Sequence, residues 1–275
     1  MIKVENIDTW GFEHAIRGMR NPLNSWSRSD SYAGEPDCFE NCRNCTLGEF
    51  FVGENDLKLM RQLYVGGQPH RKYLRQIFAV MDITAPLYWW KEFDTYKVGT
   101  TTNSCSTMHR LTYKPFEMSD FSFEHLIGNT TKEYYDVELS EEDYDNEEIE
   151  QMYRNGMTNQ EIADAADCYS SAICNILNGR TYREIEMTPY DTAKVLVDLL
   201  NELRGLYLIT KSKDVWWQMI QLLPSSYNQR RTVSMTYENV MNMLDYRKGH
   251  KLDEWREFCK ILKQLPYVEV IRDGR

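Results

Sequence analysis

Three cysteines stand close together in CFENCRNC, as Cys38-x3-Cys42-x2-Cys45. Thiolates at such spacing can hold zinc, or, behind a buried strand in a repeating β/α pattern, the iron–sulfur cluster of a radical enzyme. The preceding NSWSRSDSYAGEPD is polar loop, which argues against the radical chemistry. No fourth zinc ligand stands nearby, so reduced loop thiols are the plainer reading. Thr101, Asn103 and Ser106 form a run of directional hydrogen-bonding groups, but taken alone Ser106 reads as a turn or cap residue. Arg230-Arg231 reads as a solvated pair, and Arg247 as a helix-end charge that complements the macrodipole. His70 and His109 have no metal-ligand spacing and read as structural. No glycine-rich phosphate loop of the P-loop or GxGxxG type is present.

The elements that must carry these residues follow from periodicity. Residues 1–50 read as mostly irregular, with short elements and many turn formers. GENDLKLMRQLYVGG places Leu57, Leu59, Met60 and Leu63 on a short amphipathic helix that stops at Gly66-Gly67. Ile77, Phe78, Val80 and Ile83 lie in a run that periodicity leaves open between strand and buried helix, broken by Ala85-Pro86. The aromatic LYWWKEFDTYKVG follows, with Trp89-Trp90 read as core, as is the later Trp216-Trp217 pair. Thr188-Pro189 starts a helix in the favoured cap-then-proline order, with Leu196, Leu199, Leu200 and Leu203 forming one apolar face. From Val215 to Pro266 the chain reads as a Trp-rich segment, a Leu-Pro turn and two further helical stretches.

The 275 residues carry a formal net charge of -10, and residues 133–150 alone hold ten acids and no base. The rest is close to neutral, so overall acidity says little about what the main domain binds. Seven cysteines, no secretion signal and no apolar run near the roughly 20 residues of a membrane span predict a soluble, cytoplasmic protein.

After the acidic stretch, Ser140 to Asp143 offers a capping-box-like start for a helix to about Arg154, ended by Asn155-Gly156. Thr158 and Glu161 make a second capping box, opening a helix with Ile162, Ala163 and Ala166 inward. Ser170 caps a third, holding Ile173, Ile176 and Leu177. MTNQEIADAADCYSSAICNILNGRTYREI thus has the spacing of a helix-turn-helix, whose second helix would present Ser171 and Asn175 to a groove, with Arg180 and Arg183 as phosphate contacts. Residues 151–185 hold three arginines and four acids, and Asp167 occupies the turn position where glycine is common. Affinity for duplex depends on neutralising phosphates, so a structural or protein-contacting insert is favoured over nucleic-acid binding.

Two blocks carry a resemblance to a known family. APLYWWKEFDTYKVGTTTNSCSTMH, residues 85–109, resembles the Ala-Pro, aromatic stretch and signature RHRxxSxNExSxRY of the flavin-dependent thymidylate synthases. Thr101, Asn103 and Ser106 fall on its Ser, Asn and second Ser. LPSSYNQRRTVSMTYENVMNMLDYRKGHKLDEWREFCKIL, residues 223–262, resembles the family's C-terminal pattern, with Asn242, Arg247 and Trp255 at or near the matching places. Tyr96-Lys97-Val98 replaces the RHR triplet, Ser104 the glutamate, and Thr107-Met108-His109 the end of the signature. The wording EFDTYKVGT and NSCSTMH is similar to a divergent phage and gut-bacterial branch of the family.

The resemblance implies an α+β fold, a mixed helix and antiparallel-sheet domain formed by residues 1–132 and 188–275, with residues 133–187 as an inserted three-helix module. It implies methyl transfer to C5 of deoxyuridylate, converting dUMP to dTMP with methylene-tetrahydrofolate and NADPH as co-substrates and FAD as cofactor, with no protein nucleophile. Tyr96, Lys97, Thr101, Asn103 and Asn242 would then meet the cofactor. Ser106, Arg230, Arg231 and Arg247 would meet the nucleotide, because arginine's fork suits phosphate. A homotetramer in a bacterial or phage-infected cell is implied as well. The competing expectation is a non-catalytic phage protein on a degenerate synthase scaffold, binding nucleic acid or protein through its helix-turn-helix.

Overall fold

The computed structural model describes residues 2–33, 50–126, 146–165 and 188–273. The chain divides into two units, one of Met1–Glu124 with Leu200–Arg275 and one of His125–Leu199.

In the larger unit, the chain runs through β1 (Lys3–Trp10), α1 (Phe12–Arg20), the short β2 (Tyr32–Ala33) and β3 (Phe50–Phe51), α2 (Glu54–Val65) and a nine-residue 3-10 helix (Gln68–Gln76). Then come β4 (Phe78–Pro86), α3 (Leu87–Phe93), β5 (Thr100–Ser104) and α4 (Thr107–Arg110). The smaller unit contributes α5 (Asn146–Arg154) and α6 (Asn159–Ala165), and α7 (Pro189–Thr210) runs on from it. The larger unit closes with α8 (Lys213–Leu222), β6 (Asn228–Thr236), α9 (Tyr237–Arg247), α10 (Asp253–Lys263) and α11 (Val268–Asp273).

FAVMDITAP resolves to a strand because every second residue, Ala79, Met81, Ile83 and Ala85, is fully buried. Beside β4 lies β6, whose Val233 and Met235 pair with Met81 and Ala79 and share their face. With β1 and β5 outside them, the sheet has the order β1-β4-β6-β5, all neighbours antiparallel. Among the described residues, helices cover one face only. Their side chains, including Met60, Leu74, Trp89, Trp90, Phe93, Leu244, Trp255 and Phe258, join the sheet residues in one core. Each such side chain removed from water contributes roughly 1.5–3 kcal/mol. Among the described residues, no helix is long and apolar enough to cross a membrane.

The mixed helix and antiparallel-sheet class is as expected, but four readings of the sequence need correction. Residues 3–20 are not irregular: β1 and α1 lie there, separated by Gly11. Their signal is weak because β1 is an edge strand, mostly solvated, with a bulge at Asn6, whose φ is 51°. β6 stands where only a turn and helices were expected, since QRRTV hides its alternation behind two arginines. On α7 the inward face is Ala193, Val197 and Leu200, whereas Leu199 is exposed. Trp89 and Trp90 are core, but Trp217 remains 40% exposed.

In the smaller unit the capping box forms as expected. Glu161 accepts from the Thr158 N–H at 2.8 Å, and the Thr158 hydroxyl accepts from the Glu161 N–H at 3.3 Å. Ile149, Ile162 and Ala163 make a small core, and Gly156, with φ 89°, turns the chain between α5 and α6. The third helix, its Ser171, Asn175, Arg180 and Arg183, and the Cys38-Cys42-Cys45 cluster lie outside the described residues.

Candidate functional site

Two of the expected site residues, Tyr96 and Lys97, lie on the segment that joins α3 to β5. Trp89, Trp90 and Phe93 bury one side of α3 and leave Glu92 and Asp94 at its outer end. The chain then passes Tyr96 and the exposed Lys97 to Gly99, whose φ is 75°. A Cβ at Gly99 would lie 3.0 Å from the Thr236 side chain, so glycine allows this close pass. Asn239, near the start of α9 and almost buried, donates from Nδ2 to the Val98 carbonyl at 2.6 Å and to Thr100 Oγ1 at 2.7 Å. The Thr236 N–H donates to the Gly99 carbonyl at 2.9 Å. The loop is therefore moored to the N-terminus of α9.

Arg247, the last residue of α9, holds the same segment from the other end of that helix. Its Nε donates to the Tyr96 hydroxyl at 3.1 Å and its Nη1 to Glu92 Oε2 at 3.0 Å. Its guanidinium lies 5.0 Å from the Trp255 ring centre, within cation–π range. The same Glu92 oxygen accepts from Trp255 Nε1 and His250 Nε2, each at 3.1 Å. His250 Nδ1 accepts the Leu252 N–H at 3.1 Å, which assigns the ring proton to Nε2.

Arg231 and Arg230 point to opposite faces of β6, as adjacent strand residues must. Arg231 lies over the Trp90 ring at 4.2 Å and donates to Asp94 at 2.7 Å and to Gln229 Oε1 at 2.9 Å. Gln229 in turn donates to the Cys105 carbonyl at 2.9 Å. Arg230 donates to Asp82 at 2.7 Å on the uncovered face, where Thr232 and Asn6 also donate to that carboxylate. These bonds from Thr232, Asn6 and Arg230 hold the Asp82 carboxyl well below its usual range. Register puts Thr101 beside Ser234 and Asn103 beside Thr232, on that same uncovered face.

The structure thus brings Tyr96 and Arg247 together, sets Arg231 against the end of α3, and places Arg230, Thr101 and Asn103 on the other side of the sheet. Each candidate arginine is matched by an acid: Asp82, Asp94 or Glu92. Ser106 is half-buried just before α4, and Asn242 is half-buried on α9. Glu92, Asp94, Asn239 and His250 were not foreseen. Only Asn239 left a signal, as the third residue after Thr236 at a helix start, where the Thr236 hydroxyl accepts its backbone N–H.

A separate groove of about 850 Å³ runs between the end of α1 and α2, lined by Met19, Leu23, Leu59 and Leu63 with Arg28, Lys58 and His70 among its polar residues. An adjoining hollow of about 420 Å³ reaches Pro69, Lys72 and Gln76. Arg20 and Ser29 of the groove's lining also belong to a buried knot centred on Asp56. Asp56 accepts Arg20 Nε at 2.5 Å, the Ser29 and Ser31 hydroxyls at 2.6 and 2.7 Å, and two backbone N–H groups. Burial pushes the Asp56 carboxyl upward, but the bonds from Ser29, Ser31 and Arg20 outweigh it, and the net shift is downward. Asp30 caps α2 by accepting from the N–H groups of Asn55 and Asp56. Among the described residues, no group of His, Cys, Asp and Glu could hold a metal ion.

Two structures of thymidylate synthase X (ThyX) from Helicobacter pylori with FAD and dUMP superpose on this chain. One gives a TM-score of 0.55 at 16% identity over 98% of both chains, the other 0.52 at 15% identity over 99% of this chain and 98% of that one. The fold is of the ThyX type. The UMP/dUMP methylase PolB from Streptomyces cacaoi, bound with 5-Br dUMP, is a looser match, with a TM-score of 0.49 and 11% identity over 100% of this chain and 95% of that one. No protein-family model matches the sequence, and no curated protein matches it either.

Proposed function

We propose that this chain is a flavin-dependent nucleotide C5 methyl(ene) transferase, acting on dUMP with methylene-tetrahydrofolate and NADPH as co-substrates. What carries the reading is the ThyX-type fold along the whole length, with Arg247 and Tyr96 brought into contact from the two blocks that resemble the flavin-dependent synthases.

The chemistry of the α1–α2 groove fits a flavin dinucleotide. Its apolar wall of Met19, Leu23, Leu59 and Leu63 suits a ring system, and Arg28, Lys58 and His70 suit a diphosphate. FAD, when bound, supplies the hydride chemistry that the side chains cannot. The chain's own residues bind and orient. Arg247 carries the site's fixed positive charge, and its Nη2 has no partner among the described residues and is free to donate to a pyrimidine oxygen or phosphate. Glu92 and Tyr96 hold the guanidinium in place, and Asn239 fixes the loop that carries Tyr96 and Lys97. The groove and the Arg247 cluster share no residue.

The test is the visible absorbance spectrum of the purified protein, with and without added FAD and dUMP. Protein-held flavin whose spectrum responds to dUMP supports the reading and calls for turnover assays. No flavin binding under any condition overturns it and shifts the search for function to the helix-turn-helix expected within residues 133–187.

A further inference from the structure

The sheet face that no helix covers among the described residues carries charge in matched pairs. Val4 packs against the core, so Lys3 and Glu5 on either side of it turn outward, 2.8 Å apart. Glu5 stands beside Asp82 across β1 and β4, and Asp82 beside Thr232 across β4 and β6. Arg230 stands beside Thr84 on the same face and donates to Asp82. The charges of Lys3, Glu5, Asp82 and Arg230 sum to zero.

Arg230 is the member of this group with donors to spare. A single bond engages it, from Nη2 to Asp82; its Nε and Nη1 have no partner among the described residues, and the side chain is 52% exposed. Asp82 has no such freedom. It is only 16% exposed, and Thr232 Oγ1 at 2.6 Å and Asn6 Nδ2 at 2.8 Å pin its two oxygens. Those bonds, with that from Arg230, hold its carboxyl well below the usual range, so it stays ionised at neutral pH. An anion that reaches the open fork of Arg230 therefore arrives beside a fixed negative charge. Lys3, the other cation of the four, is held by Glu5.

We propose that Asp82 is a charge filter on Arg230, which lets the arginine take a nucleotide's single phosphate and turns away di- and triphosphates. The inference rests on the reading of this chain as nucleotide-binding, with Arg230 as a cation that meets the phosphate, and it names the residue that limits the ligand's charge. Two effects oppose each other. The arginine gains charge-assisted bonds to whichever phosphate oxygens meet its fork, and that gain is much the same for a mono-, di- or triphosphate. Repulsion from Asp82 grows with every further negative charge on the ligand, and a carboxylate pinned by Thr232, Asn6 and Arg230 cannot withdraw. Glu5, close enough for its charge to act on Arg230, adds to the repulsion from the neighbouring strand. Discrimination thus comes from a repulsive element built into the site.

The experiment is titration calorimetry of the full chain with dUMP, dUDP and dUTP, and with inorganic phosphate and tripolyphosphate, on the wild type and D82N. The asparagine keeps the side chain's size and an acceptor for Arg230 while removing the charge. D82N should gain about tenfold in affinity for dUTP and tripolyphosphate, and clearly less for dUMP and phosphate. Added salt should shrink the gain, and R230Q in the D82N background should abolish it. E5Q should move the dUTP-to-dUMP ratio in the same direction by less, and it replaces D82N in the comparison if that variant does not fold. No gain for tripolyphosphate overturns the proposal. So does a loss of affinity for every ligand in D82N, which would make Asp82 a brace for Arg230 and not a filter. If no nucleotide binds while D82N still gains tripolyphosphate, the filter stands and the nucleotide reading falls.

Discussion

Arg247 Nη1 lies 3.0 Å from Glu92 Oε2, and that one oxygen also receives the indole of Trp255 and the imidazole of His250. The link joins the two blocks of sequence that carry the family resemblance, across 155 positions. It makes Glu92 the residue that decides where the Arg247 charge sits.

Removing that charge should cost nucleotide binding before it costs the fold. Arg247→Ala deletes hydrogen bonds from a charged donor, each worth roughly 1.5–3 kcal/mol, so dUMP affinity should fall at least tenfold in titration calorimetry. Arg247→Lys should restore little of it, because an ammonium lacks the planar fork that bonds Tyr96 and Glu92 together. Unchanged affinity in both variants would remove Arg247 from the nucleotide site.

Asn239 should prove to hold the loop. Its amide nitrogen serves both the Val98 carbonyl and the Thr100 hydroxyl while being 7% exposed. Asn239→Ala leaves those acceptors unmet, at a cost of roughly 1–3 kcal/mol in the urea unfolding free energy. Amide hydrogen exchange over residues 98–104 should accelerate while β4 stays protected. Uniform acceleration across the sheet would mean that Asn239 supports the core at large, and not the loop.

How much of this was legible follows from which interactions are local. The α2 helix, its stop at Gly66-Gly67 and the Thr158–Glu161 capping box are set by residues within a few positions of one another, and all were readable. The Tyr96–Arg247 contact was not: the resemblance gives Tyr96 to the cofactor and Arg247 to the nucleotide, and no spacing rule pairs them across 151 positions. The acids facing the three arginines were not readable. Asp82 meets Arg230 across 148 positions, and no spacing rule links them. β6 escaped because its central arginines are held by an acid of β4 and an acid at the end of α3, and an arginine so paired occupies a strand position that a hydropathy pattern scores as surface.

Acid should unfold the protein through Asp56 and Asp82. Both carboxyls are held below their usual range, Asp56 by bonds that outweigh its burial and Asp82 by Thr232, Asn6 and Arg230. A depressed folded-state pKa means that the unfolded chain binds the proton first. The stabilisation is therefore full above an unfolded pKa of about 3.9 and is lost as pH falls through the folded values. Urea midpoints should respond little to these two groups above about pH 5 and drop below about pH 4. Asp82→Asn should flatten the acid limb. An equally steep limb in that variant would assign the acid loss to other carboxylates.

The Arg20–Asp56 pair offers a sharper contrast. Both side chains are almost completely buried, so removing one partner strands the other charge. Asp56→Ala should cost roughly 3–5 kcal/mol, whereas replacing both partners by apolar residues should recover part of the loss. Guanidinium unfolding of the single and double variants measures this directly, and strictly additive losses would show that the two groups are not coupled.

Gly11 is where β1 hands over to α1, and its side of the chain touches backbone. Its φ is 96°, and a Cβ there would stand 2.1 Å from the Gln76 carbonyl oxygen, at the end of the 3-10 helix that feeds β4. Gly11→Ala meets two penalties at once. The left-handed conformation alone costs a residue with a Cβ roughly 1–3 kcal/mol, and the contact can be relieved only by moving backbone. The expected result is a thermal midpoint lowered by more than strain alone predicts, with loosened amides at Gln76 and Ile77 by hydrogen exchange. Ala15 and Ile16, which α1 buries in the core, should loosen with them, because α1 is placed by this one turn. Loosening confined to residues 3–10 would instead show that α1 docks independently of β1.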